Sequence, residues 1–481
     1  MGDAVEFTQL YIGGRWTDPA DGTFVTVPSA HDGTTVGRAP AGRPADVDRA
    51  VAAARAAFDD GPWPRLPVED RIAAVERISA AYAPRTDELA RLISRENGSP
   101  LLFSQLGQVG VVPLMMASFV DAARATPWEQ EVPGLMGSGR VWREPVGVVA
   151  AVTAWNVPHF LITAKLIPAL LAGCTVVVKP PQETALDALV FAEVIDRAGL
   201  PEGVVSMVPG GAEVGAHLVA HPGVDKVTFT GSTAVGRRIG AVCGEQLKRV
   251  SLELGGKSAA IVLDDADLAR TADGLRFASF MNNGQACAAQ TRVLAPRSRY
   301  ADTVEALAAA VRTFVVGDPL DEATEIGPLV TRRQQERVLD YVRLGQEAGA
   351  RVVVGDRPLP EGLAAGNYVA PTLFADVDNG MRIAQEEIFG PVLAVIPYDD
   401  EDDAVRLAND SPYGLGGSVW TADSAHGLDM ARRIRTGTFG VNRYGPETNL
   451  PFGGYKASGL GRELGHEGLA AFVELKSIHG A

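Results

Sequence analysis

The stretch Val146-Gly-Val-Val-Ala-Ala-Val-Thr-Ala-Trp155 is apolar without a two-residue alternation, as a strand buried on both faces would be. Similar apolar runs recur downstream of it, separated by helical segments. Phe160 to Leu171 has helical spacing, Cys174 to Lys179 is strand-like, and Thr184 to Ala198 is helical. Strands are then expected at Val204 to Val208, Lys226 to Gly231 and Val250 to Leu254, with helices at Ala212 to Ala220 and Ala234 to Val242 between them. Strands alternating with helices need crossover connections, which makes the sheet parallel and doubly wound.

Toward the C-terminus a second series begins at Ala259 to Leu263. It continues through a helix ending near Asn282, a strand at Val293 to Ala295, helices near Thr303 to Phe314 and Arg332 to Glu347, and strands at Val352, Val392, Ser418 and Phe439. Toward the N-terminus, residues 10 to 40 hold short strands and turns. Amphipathic helices come next, marked by Val47, Ala50, Val51, Ala54 and Ala57, then by Ile72, Val75 and Ile78. They run on through Glu88 to Arg95 and Pro100 to Ala123, where Leu114, Met115, Met116 and Phe119 read as core. The fold class is α/β, with two doubly wound domains.

A chain of 481 residues, 46% apolar and 21% charged, can bury more than one core. Its net charge of −15 opposes the phosphate attraction on which nucleic-acid binders rely. Cys174, Cys243 and Cys287 form no CxxC pair, so neither a disulfide framework nor a metal site is expected, and a reducing cytoplasm is the expected location. The longest apolar run, near Val146 to Trp155, is too short to span a membrane, so no membrane partner is expected.

Ligands of open α/β sheets bind at strand ends, and the reactive residue types gather there. Cys287, in Asn282-Asn-Gly-Gln-Ala-Cys287-Ala-Ala, has small neighbours and reads as a nucleophile open to a carbonyl carbon. Asn156, in Thr153-Ala-Trp-Asn-Val-Pro158, can aim its amide at an oxyanion, although an Asn there also suits a turn. Glu253, in Leu252-Glu-Leu-Gly-Gly-Lys257, is an acid between leucines whose burial would suit a general base; the glycines after it show no packing role in the sequence and let the chain approach a ligand. Thr228-Phe-Thr-Gly-Ser-Thr-Ala-Val-Gly236 begins a helix and offers an anion site for a dinucleotide. Arg237-Arg238 replace the residues a nucleotide-triphosphate loop needs. Lys179, in Lys179-Pro-Pro-Gln-Glu183, follows an apolar strand and reads either as a contact for a ribose or phosphate or as a solvated loop charge. His217 and His221, four apart, lack a third metal ligand, and His159 is the candidate partner of Cys287 in a thiol hydrolase.

Together these motifs resemble the aldehyde dehydrogenase superfamily across nearly the whole chain: AWNVP with Asn156, LELGGKS with Glu253, NNGQAC with Cys287, EEIFGPV with Glu387 and Phe389, and the tail motif PFGGYKASGLGRE at 451 to 463. The resemblance implies that Cys287 attacks an aldehyde, Asn156 holds the oxyanion, hydride passes to NAD, and Glu253 activates the water that hydrolyses the thioester. It implies cofactor contacts at Trp155, Lys179, Gln182, Gly231, Ser232, Val235, Leu254, Gly255, Glu387 and Phe389. It further implies a cofactor-binding domain at 1–123 and 145–254, a catalytic domain at 255–455, an oligomerisation arm and tail at 124–144 and 456–481, and a homodimer or homotetramer.

Three departures qualify it. Gln182 stands where NAD-preferring relatives commonly carry a glutamate, which leaves NADP open. His466 replaces a glutamate of many relatives, so a proton-relay role for that position is in doubt. Val157, Leu161 and Ala164 are small at pocket positions that are often larger, which suggests a roomy apolar tunnel for bulky aldehydes. A CoA-acylating semialdehyde dehydrogenase is the alternative within the fold; the presence of Glu253 argues against it. A thiol hydrolase without redox chemistry is the other.

Overall fold

The computed structural model describes residues 4–135, 137–356, 358–445 and 447–479. Residues 1–3, Met136, Gly480 and Ala481, which belong to the expected domain ends and arm, lie outside them, as do Arg357 and Pro446.

Val148–Val152 is a strand buried at every residue, because parallel neighbours cover its edges and helices cover its faces. It is the switch point of an eight-stranded sheet. In space that sheet runs Gly459–Leu460, Arg249–Glu253, Lys226–Thr230, Val148–Val152, Thr175–Lys179, Val205–Met207, Leu10–Ile12 and Arg15–Thr17. The five inner strands are parallel, and the outer additions are antiparallel. From Val148–Val152 the chain winds first toward Thr175–Lys179, then back to the other side at Lys226–Thr230. Side chains following Val152 and Thr230 are thereby placed over the crevice between diverging connections.

The second sheet has seven strands in the order Arg351–Val354, Thr372–Ala375, Val392–Tyr398, Arg292–Pro296, Ala259–Val262, Gly417–Trp420 and Gly440–Val441. All its pairs are parallel except the outer one at Arg351–Val354. A third sheet joins Glu129–Gly134, Gly137–Pro145 and Val473–His479 into an antiparallel arm. Gly459–Leu460, expected in the tail, closes the edge of the first sheet instead, pairing Leu252 with Leu460 and Glu253 with Gly459.

Four expectations are corrected. The last strand of the second sheet is Gly440–Val441; Phe439 stays outside it and lays its ring against Gly417. Thr372–Ala375 is a further strand, and Glu401–Asn409 and Ser424–Arg433 are further helices. Met115, Met116 and Phe119 are core, but Leu114 is 63% exposed. A π-helical turn at Ser104–Gly110 precedes it, and its extra residue rotates the following register. That turn belongs to a 25-residue helical run, Leu101–Ala125, which holds an 18-residue window of mean hydropathy 1.5 and is, among the described residues, the one helix long and apolar enough by length and composition to cross a membrane. Half of that window is packed inside the protein, and the run lies against the Pro158–Ala172 helix among others.

Candidate active site

Cys287 and Asn156 line a crevice of about 340 Å³ between the two sheets, and Glu253, buried just before the lining residues Leu254 and Gly255, is near enough for its charge to act on the thiol. The Asn156 Nδ2 donates to the carbonyl of Gln285 at 3.0 Å, two residues before the thiol. Asn156 is 4% exposed, while Cys287 keeps part of its surface open to the crevice. Burial, then the charges of Glu253 and Glu387, push the Cys287 thiol up to about 12; the Ala288 N–H works against them. Glu253 ends its strand at 3% exposure with Oε2 unpartnered. Burial, then Glu463, holds its carboxyl well above the usual range, against the pull of Lys165 and Arg462.

The glycines after Glu253 do have a packing role, contrary to the expectation from sequence. A methyl at Gly255 would stand 2.6 Å from Glu387 Oε2, and one at Gly256 would stand 2.4 Å from the Cys287 carbonyl oxygen. No larger residue lets the strand end, the nucleophile turn and Glu387 come together. Glu387 Oε1 accepts the Gly256 N–H at 3.0 Å, and burial raises its carboxyl to about 7.

Trp155 and Phe389 both line the crevice and pack edge to face, ring centroids 5.4 Å apart and nearly perpendicular. Gly231 and Ser232 line its floor, where the Thr233–Glu245 helix starts. Gly231 lies over the Phe229 ring, which a methyl would approach to 2.4 Å; Gly236 lets Leu254 press against that helix. An anion at this helix N-terminus meets unpaired N–H groups and the positive end of the macrodipole. The rim facing it carries Arg333, Gln334 and Arg337.

The family model for the aldehyde dehydrogenase family matches residues 16–478. Geranial dehydrogenase of Castellaniella defragrans is 46% identical over 99% of both chains. An aldehyde dehydrogenase of Mycobacterium tuberculosis, solved with NAD+, superposes with a TM-score of 0.97 at 50% identity, covering 99% of this chain and 98% of its own. The aldehyde dehydrogenase C of Pseudomonas syringae, solved as a mutant with NAD+ and octanal, gives 0.94 at 40% identity, with coverage of 98% and 96%. The chain belongs to the aldehyde dehydrogenase family. Oxidation of an aldehyde with a nicotinamide dinucleotide as hydride acceptor is its activity.

Not every expected contact lies in the dehydrogenase's crevice. Lys179, Gln182 and Val235 stand outside the 340 Å³ space, farther along the strand ends. Lys179 is 7% exposed, and burial brings its ammonium down to about 8. Gln182 faces Gly211, which precedes the Ala212–Ala220 helix, and Val235 is 41% exposed. Val157, Leu161 and Ala164 line neither this crevice nor a second cavity of about 470 Å³ bordered by Tyr444, Leu450 and Phe452. Ala164 is 1% exposed within the main core, and Leu161 is 5% exposed.

The thiol-hydrolase pairing is excluded by geometry. His159 is fully buried, bonded to the Tyr82 hydroxyl at 2.9 Å and to the Asp187 carbonyl at 3.1 Å, and its own burial lowers its pKa to about 4. His217 and His221 both turn to Asp48, at 2.6 and 3.5 Å; among the described residues no group of three or more side chains could hold a metal.

Lys165 and Glu463 were not singled out by the sequence motifs. Lys165 Nζ donates to Glu463 Oε1 at 2.5 Å and to Thr230 Oγ1 at 2.7 Å, all three groups buried. This pair stands beside Glu253 and tunes it, whereas His466, three residues from Glu463, is exposed. A signal existed: Lys165 and His159 are the only basic residues in the otherwise apolar helix Pro158–Ala172, and a buried ammonium needs an anion.

Proposed function

We propose that the protein oxidises bulky, apolar aldehydes to carboxylic acids by a hydrolytic route, with NAD as cofactor. The observation that carries this reading is that Cys287 and Asn156 line one crevice while the buried Glu253 carboxyl acts on the Cys287 thiol.

The crevice suits a dinucleotide. Gly231 presents no side chain, Ser232 opens a 13-residue helix toward it, Glu387 offers a carboxylate to ribose hydroxyls, and Trp155 and Phe389 supply apolar walls. Leu254 and Gly255 complete the wall, and Lys179, Gln182 and Val235 would hold the adenosine half. When bound, the nicotinamide supplies the hydride acceptor. Cys287, once deprotonated, adds through Sγ to the aldehyde carbon. The Asn156 amide and the Cys287 N–H stabilise the oxygen as it gains charge. After oxidation the acyl group remains on Cys287 as a thioester. Glu253 takes a proton from water, whose oxygen attacks the acyl carbon, and Cys287 leaves as the thiolate.

Glu253, buried with a raised pKa, favours water over CoA as the acyl acceptor. Apolar substrates are supported by the geranial and octanal named for two relatives. The Leu450 and Phe452 side of the second cavity supports them too. Exposed Val132 and Leu475 on the arm support a homodimer or homotetramer formed through residues 124–144 and Val473–His479. The two large sheets support a domain division at 1–123 with 145–254, and 255–455, with Gly459–Leu460 added to the first. A cytoplasmic location agrees with three free cysteines.

The test is cofactor reduction with NAD+ and NADP+ separately, against short, long and aromatic aldehydes, alongside Cys287→Ser. Reduction that needs Cys287 and favours long or cyclic aldehydes supports the reading; a higher kcat/KM for acetaldehyde would refute the apolar specificity.

A further inference from the structure

Three side-chain amides from three different elements end on one carbonyl, that of Asn156. Asn97 Nδ2 approaches it at 3.3 Å from the end of the Thr86–Asn97 helix, and Gln108 Nε2 at 3.3 Å from the π-helical turn. Asn282 Nδ2 approaches at 2.8 Å from the turn that leads to Cys287. A carbonyl oxygen has two lone pairs, so the short Asn282 bond is the principal one and the other two share what remains.

The side-chain amide of Asn282 has two ends of nearly equal shape and opposite polarity. Ser99 decides which end faces Asn156. The Ser99 hydroxyl accepts from Gln108 Nε2 at 2.6 Å and donates to Asn282 Oδ1 at 2.5 Å. With Oδ1 held by that hydroxyl, only Nδ2 of Asn282 can meet the Asn156 carbonyl. Ser99, Gln108, Asn97 and Asn282 are between 0% and 2% exposed, so bulk water does not compete for these groups. Asn282 also has a φ of +53°, which ties its side chain to the left-handed turn five residues before the nucleophile.

We infer that Ser99, reinforced by Gln108, orients the Asn282 amide, and that Asn282 in turn fixes the Asn156 peptide so that its side-chain Nδ2 stands against the Cys287 turn. Ser99 and Asn282 are positioning residues for the oxyanion donor. This rests on the role of Asn156 proposed above. Without the hydroxyl, Asn282 Oδ1 is left buried without a donor, and an amide that turns over to relieve it sets Oδ1 against the carbonyls of Asn156 and Gln285, which Nδ2 meets at 2.8 and 3.4 Å in the parent. Two acceptors then face each other in a buried space, and the peptide must move away from them. A displacement on the order of 1 Å at a reacting group is enough to slow chemistry severely.

The experiment uses the full chain with Ser99→Ala, Asn282→Asp, Asn156→Ala and the double variant Ser99→Ala/Asn156→Ala. Three rates are read: aldehyde oxidation, hydrolysis of 4-nitrophenyl acetate, and alkylation of Cys287 by iodoacetamide. The ester needs the thiol and the oxyanion donor but no hydride acceptor; alkylation needs only the thiol. Ser99→Ala and Asn282→Asp are each expected to lower kcat for aldehyde and ester by about tenfold, with KM and the alkylation rate within about twofold of the parent. On the Asn156→Ala background, Ser99→Ala is expected to cost less than about twofold more. Parent-like turnover in Ser99→Ala would overturn the inference. So would an undiminished loss in the double variant, which would place the effect elsewhere, or a parallel fall in alkylation, which would mean that the nucleophile itself had moved. Parent-like ester hydrolysis by Asn156→Ala would instead remove the oxyanion reading.

Discussion

The α-carbon of Gly256 lies against the carbonyl oxygen of Cys287, so close that a methyl on it would stand 2.4 Å from that oxygen. Neither partner can yield alone, because Gly256 follows the strand end that carries Glu253 and its N–H is held by Glu387. Gly256→Ala is therefore expected to displace the Cys287 turn. It should cost about 1–3 kcal/mol of stability through overpacking and lower kcat/KM by about a hundredfold. Gly244, where an added methyl meets nothing within 4 Å, is the control: Gly244→Ala should leave activity unchanged. Thermal unfolding and steady-state kinetics on both variants check this.

Glu253→Gln keeps the volume of the side chain and removes the base. Aldehyde should still be oxidised once per site, giving a burst of reduced cofactor, after which turnover stalls at the thioester. The steady-state rate should fall by about 10²- to 10⁴-fold. Rapid-mixing absorbance at the reduced nicotinamide band, with mass spectrometry of the acylated chain, reads both parts. A uniform loss of burst and steady state would place Glu253 before acylation instead.

Cys287 in the free protein is held as a thiol by burial and by the charges of Glu253 and Glu387. Its alkylation rate should keep rising with pH beyond 10, where an ordinary cysteine has already levelled off near its own pKa of about 8.5. Stopped-time alkylation across pH 6 to about 11 gives the profile. A plateau near pH 9 would show that neither burial nor the carboxylates hold the thiol protonated.

Lys257 is 2% exposed with no hydrogen-bond partner for Nζ, and burial followed by the Arg292 charge brings it down to about 7. Its folded pKa thus lies below the unfolded value of about 10.4. Between those values the unfolded chain binds the extra proton, so the destabilisation grows as pH falls from 10 and is complete below 7. Lys257→Met should unfold at higher urea than the parent at pH 6, by about 2 kcal/mol, with the difference vanishing near pH 10. A difference independent of pH would contradict the shift.

Gln182 is uncharged beside Gly211, at the strand end where the adenosine half is proposed to lie. Gln182→Glu should weaken NADP+ binding by about tenfold or more through repulsion of the 2′-phosphate, and change NAD+ binding by less than about threefold. Fluorescence titration with each cofactor decides it. Equal effects on both would move the ribose away from this residue.

Much of the molecule was legible in the sequence because its determinants are local. Apolar runs of about five residues alternating with helical segments specify parallel strands, whereas the switch at Val148–Val152 is set by the spatial strand order. Asn156, Glu253 and Cys287 could be singled out because each is a polar or reactive group set in small or apolar neighbours, the least expected company for it. Only the tertiary structure decided which distant groups share a volume. It joined Lys165 to Glu463 across nearly three hundred residues, turned His159 away from Cys287 toward Tyr82, and turned Leu114 outward after the π-helical turn. It also pressed Gly256 on Cys287, and through Ser99 fixed the face of Asn282 that meets Asn156. The physical reason is range. Strand and helix formation depend on neighbours in the chain, whereas hydrogen-bond partners and contact distances within a buried site are set by how whole elements pack, which no single stretch specifies.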